Sequence, residues 1–134
     1  MNIAKLMIPK IYTVTLHENC TIRQGLEVLA RCRYTAIPVL DEQDRYVGSV
    51  SEGDFLQHVL KTGQTDLRQQ ENYRIRDILR RDFCPALDIG SDFQVVVEAT
   101  LKQNFVPVVD SRNALCGIVT RRNLIAAMAK GETE

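Results

Sequence analysis

The sequence has no surplus charge of either sign: 17 Lys and Arg stand against 17 Asp and Glu in 134 residues. No broad field would draw nucleic acid or an anionic membrane, so any recognition of phosphate must come from a local cluster. Metal-ligand patterns are missing too. Cys20, Cys32, Cys84 and Cys116 are scattered without a CxxC pair, and His17 and His58 complete no zinc spacing. The four thiols read as free, buried cysteines of a reducing compartment rather than as disulfides. No apolar stretch is long enough to span a bilayer. The opening MNIAKLMIPK lacks the apolar core of a secretory signal. A cytoplasmic, soluble protein without nucleic-acid or membrane partners is expected. There is no GxxxxGKS run and no Gly-x-Ser-x-Gly elbow, so an enzyme is not expected.

What is present is one unit written twice. IPVLDEQDRYVGSVS, residues 37–51, lies over VPVVDSRNALCGIVT, residues 106–120, at an offset of 69. Pro38 meets Pro107, Asp41 meets Asp110, Gly48 meets Gly117 and Ser51 meets Thr120. TIRQ at 21–24 matches SDFQ at 91–94, and IAKLM at 3–7 matches IRDIL at 75–79. TIRQ and SDFQ read as capping boxes that open helices. Apolar side chains follow at helical spacing: Ile22, Leu26 and Leu29 in one helix, Phe93, Val97 and Leu101 in the other. AIPVL or FVPVV, an Asp-led turn, then YVGSV or LCGIV predicts a hairpin. The proline in each first strand should sit where no ladder donor is needed. A last helix carries Phe55 and Val59, or Leu124 and Met128.

The expected fold is therefore α+β, a mixed α/β chain. Two β-α-β-β-α repeats would pack sheet to sheet about a pseudo-two-fold axis. Residues 1–60 form the first repeat, 61–73 a polar, unpatterned linker and 74–130 the second, together one compact module. Some sixty residues bury too little surface to be comfortable alone. A second such packing face predicts a homodimer.

Each hairpin leads into a hydroxyl-bearing helix start, GSVSEGD at 48–54 and GIVTRRN at 117–123. Ser51 and Asp54 fit a plain capping box. They also fit a ligand site, because a helix start presents free amides to phosphate and a carboxylate can accept from a ribose diol. The glycine would allow a close backbone approach. Thr120 has Arg121 and Arg122 beside it, and a guanidinium holds phosphate in bidentate fashion. The same pair also fits a solvated helix start. Asn123 is a neutral acceptor where the first copy has an acid. Glu52 and Gly53 bring no cation to the first start. Tyr34 fits either a base-stacking role or a strand edge.

AIPVLD with GSVSEGD, repeated as FVPVVD with GIVTRRN, resembles the CBS-domain family, here as a tandem pair or Bateman module, over nearly the whole chain. The YTAIPVLD and TRR elements are similar to small stand-alone pairs of Gram-positive bacteria, some of which bind cyclic di-AMP. The resemblance implies a regulatory sensor of adenine nucleotides (AMP, ADP, ATP or cyclic di-AMP) acting on an unidentified partner protein, with no required cofactor. It implies two clefts between the repeats. The main one would use Thr13, Val14, Tyr34, Thr35, Ala36, Pro38, Thr120, Arg121, Arg122 and Asn123. The other would use Ser51, Asp54, Pro85, Ala86, Phe105, Val106 and Pro107. An interaction module with degenerate, non-binding clefts is the alternative.

Overall fold

The protein is described by a computed structural model covering residues 2–131; Met1 of the expected first repeat lies outside the described residues. The elements run α1 (Ile3–Leu6), β1 (Ile8–Pro9), β2 (Leu16–His17), α2 (Ile22–Arg31), β3 (Ala36–Leu40), β4 (Tyr46–Ser51) and α3 (Glu52–Thr62). They continue as β5 (Leu87–Asp88), α4 (Phe93–Lys102), β6 (Phe105–Val109), β7 (Leu115–Thr120) and α5 (Arg121–Ala129). The order β-α-β-β-α therefore occurs twice, in a mixed α/β chain.

Space groups these elements differently from sequence. One compact unit, here unit one, gathers the segment up to Thr13, Asp44–Tyr46 and the segment from Cys84 on. Unit two gathers Val14–Gln43 and Val47–Phe83. Each unit thus takes its front piece from the other repeat.

In unit one the sheet order is β1-β7-β6-β5, with β1 antiparallel to β7 and β5 parallel to β6. Ile3 and Leu6 of α1 join Val96, Val106, Val119 and Leu124 in its core. In unit two the order is β2-β3-β4, and β2 runs parallel to β3. Ile75, from the stretch after α3, joins Ile22, Ile37, Val39, Val50 and Phe55 in that core. β3 and β6 are buried along their whole length, as continuous apolar runs require. Pro38 and Pro107 each stand one residue before the short parallel strand begins to pair, at Val39 and Val108. A missing amide costs no ladder bond there.

Four details depart from the sequence reading. Thr21 and Gln24 form their reciprocal capping box, but the SDFQ box does not form. The amides of Gly90 and Ser91 turn back onto Asp88, so Asp92 becomes the N-cap and makes no side-chain bond. With that shift Val96 and Thr100 face the core of unit one, and Leu101 is exposed. On α5 the inward residues are Leu124 and Ala127, and Met128 faces solvent.

Residues 61–73 are more ordered than their polar composition suggested. α3 runs on to Thr62 and stops at Gly63, whose φ of 68° suits a left-handed helix end. A 3-10 turn at Gln69–Asn72 follows, with Gln70 only 1% exposed. Its polar groups are satisfied: His58 Nε2 lies 2.7 Å from Gln70 Oε1, and Gln70 Nε2 donates to the Gln64 carbonyl at 2.5 Å. None of the four cysteines is in a disulfide; Cys84 is buried and the others are half-buried.

Candidate functional site

The glycine of each Gly-x-x-Ser/Thr run serves the chain itself. A Cβ on Gly117 would collide with the Ile8 carbonyl, and one on Gly48, at φ 154°, would lie 2.6 Å from the Arg80 carbonyl. Ile8 pairs with Ile118, and Arg80 bridges Ser49, which is the equivalent position in the other repeat. The close approach anticipated for a ligand is thus made by each unit's own front segment. It ends just short of the helix start.

In unit two Ser51 is the N-cap of α3. Asp54 Oδ2 accepts from the Ser51 amide at 2.8 Å and from Ser51 Oγ at 3.0 Å, while the Asp54 amide donates to Ser51 Oγ at 3.3 Å. The capping box is complete. The Glu52 amide donates to the Thr35 carbonyl at 3.0 Å, which ties the residue just before β3 to the same helix start.

A cation stands here that the sequence reading did not find. Arg80 Nε lies 3.0 Å from Asp54 Oδ1, and Arg80 Nη2 donates to Ser51 Oγ at 3.4 Å. Its guanidinium carbon sits 3.8 Å above the centre of the Phe83 ring. The expectation of a start without a cation is corrected, because Glu52 and Gly53 are not its only neighbours. The signal was available in the offset that matches IAKLM to IRDIL: carried one residue further, it places Arg80 where the other repeat has Ile8.

Unit one is built alike and furnished differently. Thr120 is the N-cap of α5, with its Oγ1 accepting from the Asn123 amide at 3.1 Å. No reciprocal bond from the Asn123 side chain forms among the described residues, so this box stays half-closed. Arg121 turns away from the helix start: its Nε donates to the Thr100 carbonyl and its Nη2 to that of Leu101 at 3.3 Å. Those are carbonyls of the last turn of α4, short of intrahelical donors, and an adjacent guanidinium satisfies them. Arg122 is exposed and makes no ion pair among the described residues. Of the two arginines, it is the one left available at this start.

The other residues named from sequence divide between the units. Unit one holds Thr13, Pro85, Ala86, Phe105, Val106 and Pro107; unit two holds Val14, Tyr34, Thr35, Ala36 and Pro38. Phe105 pairs with Thr120 across the β6–β7 ladder, and Gln103 Nε2 donates at 3.0 Å both to the Pro85 and to the Phe105 carbonyl. Gln103 is a second residue the sequence reading missed. Thr13 Oγ1 donates to the Pro9 carbonyl at 2.9 Å, closing the turn after β1. Val106 is wholly buried in the core of unit one. Tyr34 and Thr35 are exposed.

Unit two also has a pocket of about 520 Å³ between α3 and the stretch that follows it, lined by Asp54, His58, Lys61, Tyr73, Ile78 and Arg80. Among the described residues no cluster of His, Cys, Asp or Glu could hold a metal ion, and no helix is long and apolar enough to cross a membrane.

Two repeats of one β-α-β-β-α unit, each ending in a hydroxyl-capped helix, define the class, and the CBS domain family model matches residues 3–61 and 75–130. The chain belongs to that family, as a tandem pair. Its fold is that of CbpB from Listeria monocytogenes, solved in complex with c-di-AMP, at 26% identity and a TM-score of 0.80, over 94% of this chain and 93% of that one. CBSX2, solved in complex with AMP, matches at 22% identity and a TM-score of 0.79 over 98% of both chains. Homoserine O-acetyltransferase of Methanohalophilus mahii is 30% identical over 117 residues, 87% of this chain. The chain spans 23% of the length of that relative.

Proposed function

We propose that the chain is a regulatory module that binds an adenine nucleotide, AMP, ADP, ATP or c-di-AMP, and passes the bound state to a partner protein. The observation that carries this reading is the half-closed helix start of unit one. Thr120, Asn123 and the exposed Arg122 offer a hydroxyl, an amide and a free guanidinium at the positive end of α5. Phosphate would take Arg122 and the helix amides, and the ribose would take Asn123. The nucleotide complexes of CbpB and CBSX2 support the same ligand class. No catalytic step is part of the reading, and its setting is the cytoplasm. A bound ligand acts by favouring one arrangement of the protein over another, to the extent of its differential affinity.

The reading includes a homodimer. Leu56 and Leu60 on α3 and Ile125 and Met128 on α5 are exposed large apolar side chains, and Leu56 and Ile125 occupy equivalent places in the two repeats.

The test is a titration with AMP, ATP and c-di-AMP followed by melting temperature. Ligand at a hundredfold excess over Kd stabilises by about 2.7 kcal/mol. For a chain of this size that raises Tm by on the order of 10 °C. No shift with any of them at millimolar concentration would end the proposal. The engaged Asp54 favours a second reading, an interaction module without ligand. It requires that a partner be recovered equally well with and without nucleotide.

A further inference from the structure

The two helix starts differ by more than one letter. In unit two the residue opposite Ser49 is Arg80, and in unit one the residue opposite Ile118 is Ile8. A guanidinium can reach a helix start from that place, and an isoleucine brings it no charge or donor. The acid and the amide follow suit: Asp54 is bonded to a cation from its own unit, and among the described residues no cation is bonded to the Asn123 side chain.

We infer that Arg80 is a built-in occupant of the Ser51–Asp54 helix start, which keeps nucleotide out of it and limits the chain to one nucleotide, held at the Thr120–Asn123 start. The inference rests on the nucleotide-sensor reading.

A carboxylate that reads a ribose diol must accept a hydrogen bond from each hydroxyl. Asp54 Oδ2 already accepts from the amide and the hydroxyl of Ser51, and Oδ1 accepts from Arg80. Ser51 Oγ is equally committed, donating to Asp54 and accepting from the Asp54 amide and Arg80 Nη2. While Arg80 is in place Ser51 Oγ has no capacity left, and Asp54 keeps a single lone pair on Oδ1, short of the two acceptors a diol needs. Arg80 is held from three sides: by Asp54, by the Phe83 ring, and by backbone bonds to Ser49 of 2.9 and 3.0 Å. The Asp54 side chain is 11% exposed and that of Arg80 47%, so the contact is sheltered at the acid and open at the cation. An occupant of this kind can be removed by one substitution without emptying a core.

The experiment is isothermal titration calorimetry with AMP, and separately with c-di-AMP, on the whole chain as wild type, Arg80→Ala, Arg80→Met and Arg122→Ala. Arg80→Met keeps the apolar stem over Phe83 and guards against a folding defect in the alanine variant; circular dichroism checks both. The expected result is one AMP per wild-type chain, at least tenfold weaker in Arg122→Ala. Both Arg80 variants should take a second AMP with the first event unchanged. Two nucleotides per wild-type chain, no added event in either Arg80 variant, or weaker binding in both would overturn the inference; the last would make Arg80 a ligand contact. Absence of binding by the wild type defeats the sensor reading instead. The Arg80 variants still decide in that case, since new binding in them supports the latch and continued silence overturns it.

Discussion

The carbonyl oxygen of Ile8 occupies the space that a Cβ on Gly117 would need. β1 can lie against β7 only because position 117 has no side chain. Gly117→Ala should therefore destabilise the chain by about 1–3 kcal/mol, the usual range for forcing extra volume into a packed site. Gly53→Ala is its counterpart: a Cβ there meets only Ser51 Oγ, at an ordinary 3.7 Å. Within a helix that exchange should stabilise by about 0.5–1 kcal/mol. Urea denaturation of the two variants would separate them by sign.

Arg121 and Arg122 are neighbours with different work. Arg122→Ala should weaken nucleotide binding by about 1.5–3 kcal/mol, the loss expected for a charged hydrogen-bonding partner. Arg121→Ala should leave binding unchanged and lower stability by about 0.5–1.5 kcal/mol, because its bonds go to α4 carbonyls. Calorimetry and thermal melts on both variants test the division. Equal losses of binding in the two would refute it.

Asp110 carries a pH dependence. Its carboxylate accepts from the amides of Ala114 at 3.0 Å and Arg112 at 2.8 Å, which hold its pKa below the ordinary carboxylate value. A lowered folded pKa means that the contribution is complete above about pH 4, and disappears as pH falls through the folded value. Asp110→Asn should melt earlier than wild type at neutral pH. The gap should narrow in strong acid. A gap that stays constant from neutral pH down to about pH 2 would show that ionisation of Asp110 is not its source.

Gln70 fixes the stretch after α3 to unit two. It spans His58 Nε2 and the Gln64 carbonyl, and the His58 ring meets Tyr73 edge-on at 4.6 Å. Gln70→Ala removes both bonds from a buried site and should cost about 2–3 kcal/mol. Hydrogen exchange should then accelerate through residues 64–73 first. Unchanged protection there would show that Gln70 does not hold the segment.

The hairpins and both hydroxyl caps could be read from sequence because each depends on residues close by in the chain, and the repeat with its paired prolines could be read from two matching runs at an offset of 69. Thr21 and Gln24 needed only each other. Gln103, 18 residues from Pro85, was not legible as a site neighbour, and Arg80, 26 residues from Asp54, was legible only through the repeat offset. Local pattern does not reach that far. Arg121 stands beside Thr120 in sequence, where a phosphate ligand would stand, and in space it bonds the carbonyls at the end of α4, a partnership the local pattern does not show. The failed SDFQ box turned on a single residue, where the Asp88 turn outbid Ser91 for the N-cap.

Ile3 and Leu6 complete a core made mostly by the second repeat, and Ile75 completes one made by the first. Neither copy is therefore self-sufficient. A lone copy would lack the strip that closes its own sheet and would have to obtain it from a twin. Doubling the sequence supplied each copy with its missing edge on the same polypeptide, which ties the fate of the two halves together during folding.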